Sequence, residues 1–339
     1  MPVKIKSLGI FKGLGTAFML LLVLDIFNPT LVKAQDPEFT QFYANPLYLN
    51  PAMAGTHRCP RIAMNYRNQW PAIAGTYITY SASYDQHVDF MGGGIGLLVT
   101  NDQAGQGTLN TLNASLLYSY LLPVGRTFSL KFGFQGTYHQ KTVDWNKLTF
   151  GDMIDAKLGF IYKSGEVPQG RTKSSVDFSA GILGYSKTFF IGGAVHHLLE
   201  PNESFYPGGN SPLPMKITAH AGAVIPIGGG GGGRRRRGEP ESSISPNVMF
   251  QMQKDFMQLN LGLYVNKGPI VGGLWYRGRD SFILLVGVQQ GVFKFGYSYD
   301  VTVSRLTNAT AGSHEISMQM LFNCKPRVRK FRPLSCPSF

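Results

Sequence analysis

From Arg61 onward the dominant pattern is strict alternation of apolar and polar residues, the mark of strands with two unlike faces. Ile62, Met64 and Tyr66 alternate with Arg61, Ala63, Asn65 and Arg67. Ile78, Tyr80, Ala82 and Tyr84 alternate with Thr79, Ser81, Ser83 and Asp85, and Phe128, Leu130, Phe132 and Phe134 with Ser129, Lys131, Gly133 and Gln135. The same period runs through Leu112–Tyr120, Phe293–Tyr299 and Ile316–Phe322. Such segments number about fourteen, centred near Met64, Tyr80, Leu97, Leu116, Phe134, Ala180, Gly193, Ala221, Val248, Leu261, Gly272, Leu285, Tyr297 and Met318. Turn signals separate them, among them Pro123-Val124-Gly125 and Lys267-Gly268-Pro269.

Alternation alone also suits a soluble sandwich. Tyr and Phe at the strand ends, as interfacial girdles require, and Arg61, Arg67, Lys131, Lys141 and Lys294 on the polar phase favour the inverse arrangement, with lipid outside and water within. Strands in lipid must pair every backbone group, so they close. The expected fold is all-β: a transmembrane antiparallel β-barrel of about fourteen strands over residues 61–322. Two stretches break the rhythm. Thr142–Ser175 reads as one long loop, and Ile227–Arg237, IGGGGGGRRRR, is low-complexity. With both termini on the periplasmic side, strand parity puts Thr142–Ser175 outside the cell. It puts Arg234, Arg235, Arg236 and Arg237, with the basic tail 323–339, in the periplasm.

Ahead of the barrel lies Gln35–Pro60, in which Asn45-Pro46 and Asn50-Pro51 sit among Phe39, Phe42, Tyr43 and Tyr48. Proline fixes φ and pushes the preceding residue out of the helical region, so this lead-in is expected to be extended or turned. Its aromatic residues need apolar cover, and the barrel mouth is the nearest. Residues 1–34 read as an export signal: Lys4, Lys6 and Lys12, an apolar run over Phe18–Phe27, then Val32-Lys33-Ala34.

Composition agrees with export to an outer membrane. Charged residues are 15% of the chain, aromatics 12%, and glycines number 41, a poor composition for a helical soluble protein. The formal charge of +13 falls to +10 without the signal, but no nucleic-acid reader motif accompanies it. Cys59, Cys324 and Cys336 lack metal-ligand spacing; Cys324 and Cys336 could close a small loop, or the thiols could stay unpaired. His196-His197 near Glu200 faces two ways on a strand. No catalytic, cofactor or metal constellation emerges, and no enzyme activity is expected. The glycines of Gly92-Gly93-Gly94-Ile95-Gly96 are expected to ease curvature or close packing.

FTQFYANPLYLNPAMAG followed by NYRNQWPAIAGTYITYSASYD is similar to the opening signature of the PorP/SprF family. Within it Asn45, Pro46, Asn50, Pro51, Gly55, Tyr66, Arg67, Gln69 and Trp70 carry the motif. GDMIDAKL, DFSAGILGYSKTFFIGGAVHHLLEP, LWYRGRDSFILLVG and FGYSYDVTVSRL…GSHEISMQM extend the resemblance along the whole mature chain. The Gly/Arg loop and basic tail depart from it. The resemblance implies an outer-membrane component of the type IX secretion system, in a family tied to protein secretion and gliding motility. Its implied partners are the translocon, periplasmic peptidoglycan-associated components, outer-membrane lipid and a secreted, adhesin-like surface protein with a C-terminal secretion domain. Trp145, Phe150 and Ile154 of the long loop, and Arg234–Arg237, are the candidate partner contacts. A passive porin-like channel is the alternative, with Arg61, Arg67 and Lys131 lining a pore.

Overall fold

A computed structural model describes residues 36–322 apart from residues 74, 126, 156, 166–169, 207, 228–241, 279 and 304–310. The expected signal segment, Arg234–Arg237 and the basic tail lie outside the described residues. Fourteen strands form one closed antiparallel barrel: β1 (Arg61–Gln69), β2 (Tyr77–Val88), β3 (Gly93–Ala104), β4 (Leu109–Pro123), β5 (Ser129–Val143), β6 (Thr172–Tyr185), β7 (Phe189–His196), β8 (Lys216–Ala223), β9 (Ser243–Gln253), β10 (Phe256–Lys267), β11 (Ile270–Arg277), β12 (Ser281–Gln290), β13 (Phe293–Thr302) and β14 (Ser313–Leu321). Each pairs with its neighbours in sequence, and β1 meets β14 from Arg61↔Leu321 to Gln69↔Ser313 to close the ring. A two-residue strand, Ile225–Pro226, adds to β9.

Period two decides which side chains meet lipid. Leu116 is 71% exposed on the outer face, whereas its neighbour Ser115 is 2% exposed within. Met64, Tyr80, Leu97, Phe134, Ile191, Leu284, Phe295 and Ile316 continue the outer apolar belt. Closure leaves no sheet edge in the hydrocarbon, the condition under which strands can span it.

The interior corrects one expectation. It is not a water-filled pore lined by the polar phase alone, because β10–β12 turn an apolar patch inward beside polar residues such as Asn260 and Arg277. Tyr264, Trp275, Ile283 and Leu285 are buried inside while Leu263, Leu274, Leu284 and Val286 face out. The long connection is also shorter than Thr142–Ser175. Strand β5 runs to Val143 and β6 starts at Thr172, leaving residues 144–171 as loop. That loop carries two 3-10 turns, Trp145–Lys147 and Gly151–Met153, and a small hairpin pairing Ile154–Asp155 with Gly159–Phe160. It stands at the same end as the β1–β2, β3–β4 and β7–β8 connections, here called the long-loop end.

Candidate functional site: a filled lumen and its long-loop rim

The lead-in lies inside the barrel. The residue before each proline does leave the helical region: Asn45 has φ −120° and ψ 66°, and Asn50 φ −158° and ψ 122°. Each proline then opens a helical turn, α1 (Pro46–Leu49) and a 3-10 turn (Pro51–Met53), where its missing N–H costs nothing. The lead-in is thus turned at both prolines, each turn being a single helical one. The Asn50 side chain caps the second turn by accepting from the Ala52 N–H at 2.9 Å.

The chain descends the lumen from the long-loop end. Asp36, its first described residue, bonds His197 (2.8 Å) beyond β7 and lies 3.8 Å from Lys216 at the start of β8. This end of the lead-in is therefore opposite the rim where β1 begins, so the chain from Asp36 to Arg61 runs through the lumen from one rim to the other. His197 also bonds Asp177 at 2.7 Å. Burial disfavours the imidazolium, but the two carboxylates outweigh it and raise the His197 pKa to about 9. Burial likewise opposes the Asp36 charge, and His197 with Lys216 reverses that, holding the carboxyl well below its ordinary range.

Next, the Thr40 N–H and hydroxyl donate to Glu315 at 2.6 and 2.8 Å, and Gln319 donates to the Ala44 carbonyl at 2.9 Å, so this segment grips β14. Glu315 lies 3.6 Å from Arg67, which also bonds Asp300 at 3.0 Å, and Arg277 reaches the same Asp300 at 3.2 Å. Buried cations here are paired, as burial of charge demands. Phe42, Tyr43, Leu49 and Met53 pack into one apolar cluster with Leu183, Tyr185, Phe190, Tyr264 and Trp275. Phe42 meets Trp275 edge-on at 4.8 Å and Tyr43 meets Phe190 at 5.5 Å. Full burial of each such side chain stabilises by about 1.5–3 kcal/mol, which draws the lead-in out of water.

The wall of β3 to β8 receives the second turn in a groove of small residues. Gly94, Ser119, Gly133, Gly181, Ala194 and Thr218 are consecutive cross-strand partners on the inner face of β3 to β8. A Cβ on Gly133 would land on the backbone of Pro51 and Ala52, one on Gly181 on the Asn50 side chain, and one on Gly94 on Ala54. Asn50 donates to the carbonyls of Ile182 and Gly193, each at 3.1 Å. Ser119 and Lys131 donate to the Ala54 carbonyl. At the short-turn end Gly55, at φ 61°, donates its N–H to Asp85 at 2.7 Å, and Arg61 forks onto the same carboxylate at 2.8 and 3.0 Å.

The motif residues divide along these lines. Asn45 (Nδ2 to Ser81 at 2.8 Å), Pro46, Asn50, Pro51, Gly55 and Arg67 all serve to seat the lead-in. Tyr66 faces outward against Tyr80, ring centres 5.3 Å apart. Gln69 ends β1 between Tyr77 and Ser313, and Trp70, at φ 59°, turns the chain there. In the long loop Trp145 and Phe150 are half-buried and stacked, and the Trp145 indole donates to the Gly170 carbonyl at 2.7 Å. They hold the loop's own fold. Ile154 is exposed, joined in the small hairpin by Leu158, Phe160, Ile161 and Tyr162. These four were missed; the run GFIY carries no alternation to reveal them. The inner cluster on β10–β12 was missed too, although the unbroken apolar run FILLV signals strands buried on both faces. Among the described residues no cluster of metal-ligating side chains forms. Cys59 is disulfide-bonded, and Cys324 and Cys336 lie outside the described residues.

A family model described as type IX secretion system membrane protein PorP/SprF matches residues 31–320. Similar solved structures include the Pseudomonas putida toluene transporter TodX, at 8% identity over 84% of this chain and 93% of that one, TM-score 0.39. A Pseudomonas aeruginosa FadL homologue follows at 11% identity, 81% and 93% coverage, TM-score 0.38. The beta domain of the Bordetella autotransporter Brka is similar at 11% identity, 78% and 99% coverage, TM-score 0.35. No curated protein sequence matches the chain.

Proposed function

The chain belongs to the PorP/SprF family of type IX secretion system membrane proteins, and from that premise we propose that it is a non-enzymatic outer-membrane component that helps export or retain a secreted surface protein. In this reading the long-loop end faces outward, and the opposite rim contacts periplasmic secretion components. The observation that carries the reading is the hairpin of the β5–β6 loop. Ile154, Leu158 and Phe160 stand exposed at the rim, on a stretch anchored below by the Trp145–Phe150 stack. Apolar side chains grouped in this way outside the lipid belt mark a surface waiting for a partner. A lumen filled by the lead-in supports a scaffold over a conduit. The secreted partner would be adhesin-like and would carry its own C-terminal secretion domain, as the family implies.

Replacing Ile154, Leu158 and Phe160 with Ser tests the reading. The barrel should still insert and migrate heat-modifiably on gels, while one surface protein shifts into the medium. Unchanged surface display of every secreted protein after deletion of the whole gene would overturn it.

A further inference from the structure

Strand β6 has fourteen residues and its neighbour β7 only eight. On one side β6 pairs with β5 along its full length, Thr172↔Thr142 to Ser129↔Tyr185. On the other side its pairing with β7 stops at Ala180↔Val195. Beyond that point the Leu198 N–H donates to the Phe178 carbonyl at 3.0 Å, and the β7–β8 connection then turns inward over the mouth. There Glu203 accepts from Lys141 at 2.6 Å, on the inner face of β5. In an antiparallel strand the N–H and C=O of alternate residues point to the same side. Phe178 points away from β5, so Val176, Ser174 and Thr172 do as well, and among the described residues nothing pairs with them there. All three are exposed.

Unpaired backbone groups cannot lie in hydrocarbon. This edge therefore rises above the lipid, in agreement with its outward neighbours Gln140, Thr142, Thr172 and Ser174, which are polar. Tyr138 and Val176 mark the boundary below them.

We propose that the upper edge of β6, Thr172–Val176, is a docking site for an extended segment of the retained surface protein, which adds to the barrel wall as an extra strand. The proposal rests on the surface-retention reading above and names how the partner is held. An open row of alternating donors and acceptors has one geometric complement, another backbone in β conformation. The edge is also basic: Arg171 and Lys173 make no ion pair among the described residues. A segment carrying acidic side chains fits it, and a second copy of the same basic edge does not. The site is continuous with the exposed hairpin, since both belong to the β5–β6 connection.

Ser174 allows a clean test. Its N–H points to the open side, so Ser174→Pro removes an edge donor and adds a ring there without breaking a bond to β5. Ser174→Ala removes only the hydroxyl that receives the Tyr138 proton at 3.0 Å and leaves the edge intact. The probe is the surface protein that deletion of the gene sends into the medium. Ser174→Ala should hold it as the native chain does, and Ser174→Pro should weaken retention on the order of tenfold, the effect of one or two ladder bonds. A photo-crosslinking amino acid at Thr172 should trap the same protein on cells. If Ser174→Pro retains the partner in a strain where gene deletion releases it, the edge is not the site and surface retention stands. If gene deletion releases nothing, both readings fall. Should Ser174→Pro not assemble, the Thr172 crosslink decides: an adduct with the released protein supports the proposal, whereas an adduct with a second copy, or none, overturns it.

Discussion

Adding one methyl group at Gly133 measures how tightly the lumen is filled. The Cβ of Gly133→Ala would overlap backbone atoms of Pro51 and Ala52, which no side-chain rotation can relieve. The second turn of the lead-in must shift as a body. That shift strains the two Asn50 hydrogen bonds to Ile182 and Gly193 and the contact with Gly181, the next residue of the groove. Overpacking of this kind costs about 1–3 kcal/mol. Gly136→Ala, three residues along the same strand, is the internal control. Its Cβ would meet only the Phe178 ring at 3.6 Å on the outer face, an ordinary contact. Relief from glycine in a strand should then make it neutral or slightly stabilising, by up to about 1 kcal/mol. Denaturant titration of purified, refolded protein gives both values, and limited proteolysis of Phe39–Gly55 reports the seating directly. Gly133→Ala should lower the midpoint and speed cleavage of the lead-in; Gly136→Ala should do neither. Equal midpoints and equal protection for the two variants would refute a lead-in packed against this wall.

Two other outcomes follow from the same interior. Purified protein in planar bilayers should show no steady conductance, and deletion of residues 36–55 should produce it; open-pore currents from the intact chain would restore the channel alternative. The Asp36–His197 latch should depend on pH. His197 titrates higher in the folded chain than its ordinary value of 6.5, so its contribution of about 3 kcal/mol is complete below that value and is lost as pH rises through about 9. Asp36 is lowered, so its share is present above about pH 4 and fades in acid. Hydrogen exchange at residues 36–40 should therefore be slow at pH 7 and accelerate, beyond the intrinsic rate, at pH 10. Protection unchanged at pH 10 would remove the latch.

All fourteen strand centres read from the sequence fall inside strands, because lipid on one side and a largely polar interior on the other enforce period two along most of the wall, β12 with its apolar run Phe282–Val286 being an exception. The tops of β5 and β6 escaped that reading. Above the lipid belt both faces turn polar, at Gln140 and Thr142 as at Thr172 and Ser174, so alternation fades although the backbone pairing continues. The burial of Phe39–Gly55 was legible from its aromatic content. Its path was not, since partners such as Thr40 and Glu315 lie 275 residues apart and no local pattern joins them. The open edge of β6 is equally silent, being a difference in length between two strands. For the hairpin at Ile154 the sequence marked one residue and the structure supplied its neighbours.

The grip of Thr40 and Ala44 on Glu315 and Gln319 carries a consequence for biogenesis. The lead-in is among the first parts of the mature chain to leave the ribosome, and β14 is among the last. The segment over Thr40–Ala44 lacks its acceptors and donors until that final strand exists. A chain broken off before Ser313 would keep its aromatic residues but leave them without a complete berth. Occupation of the lumen thus certifies that synthesis reached the end, and a truncated barrel would present an unfilled bore and a loose apolar arm to whatever inspects newly exported proteins.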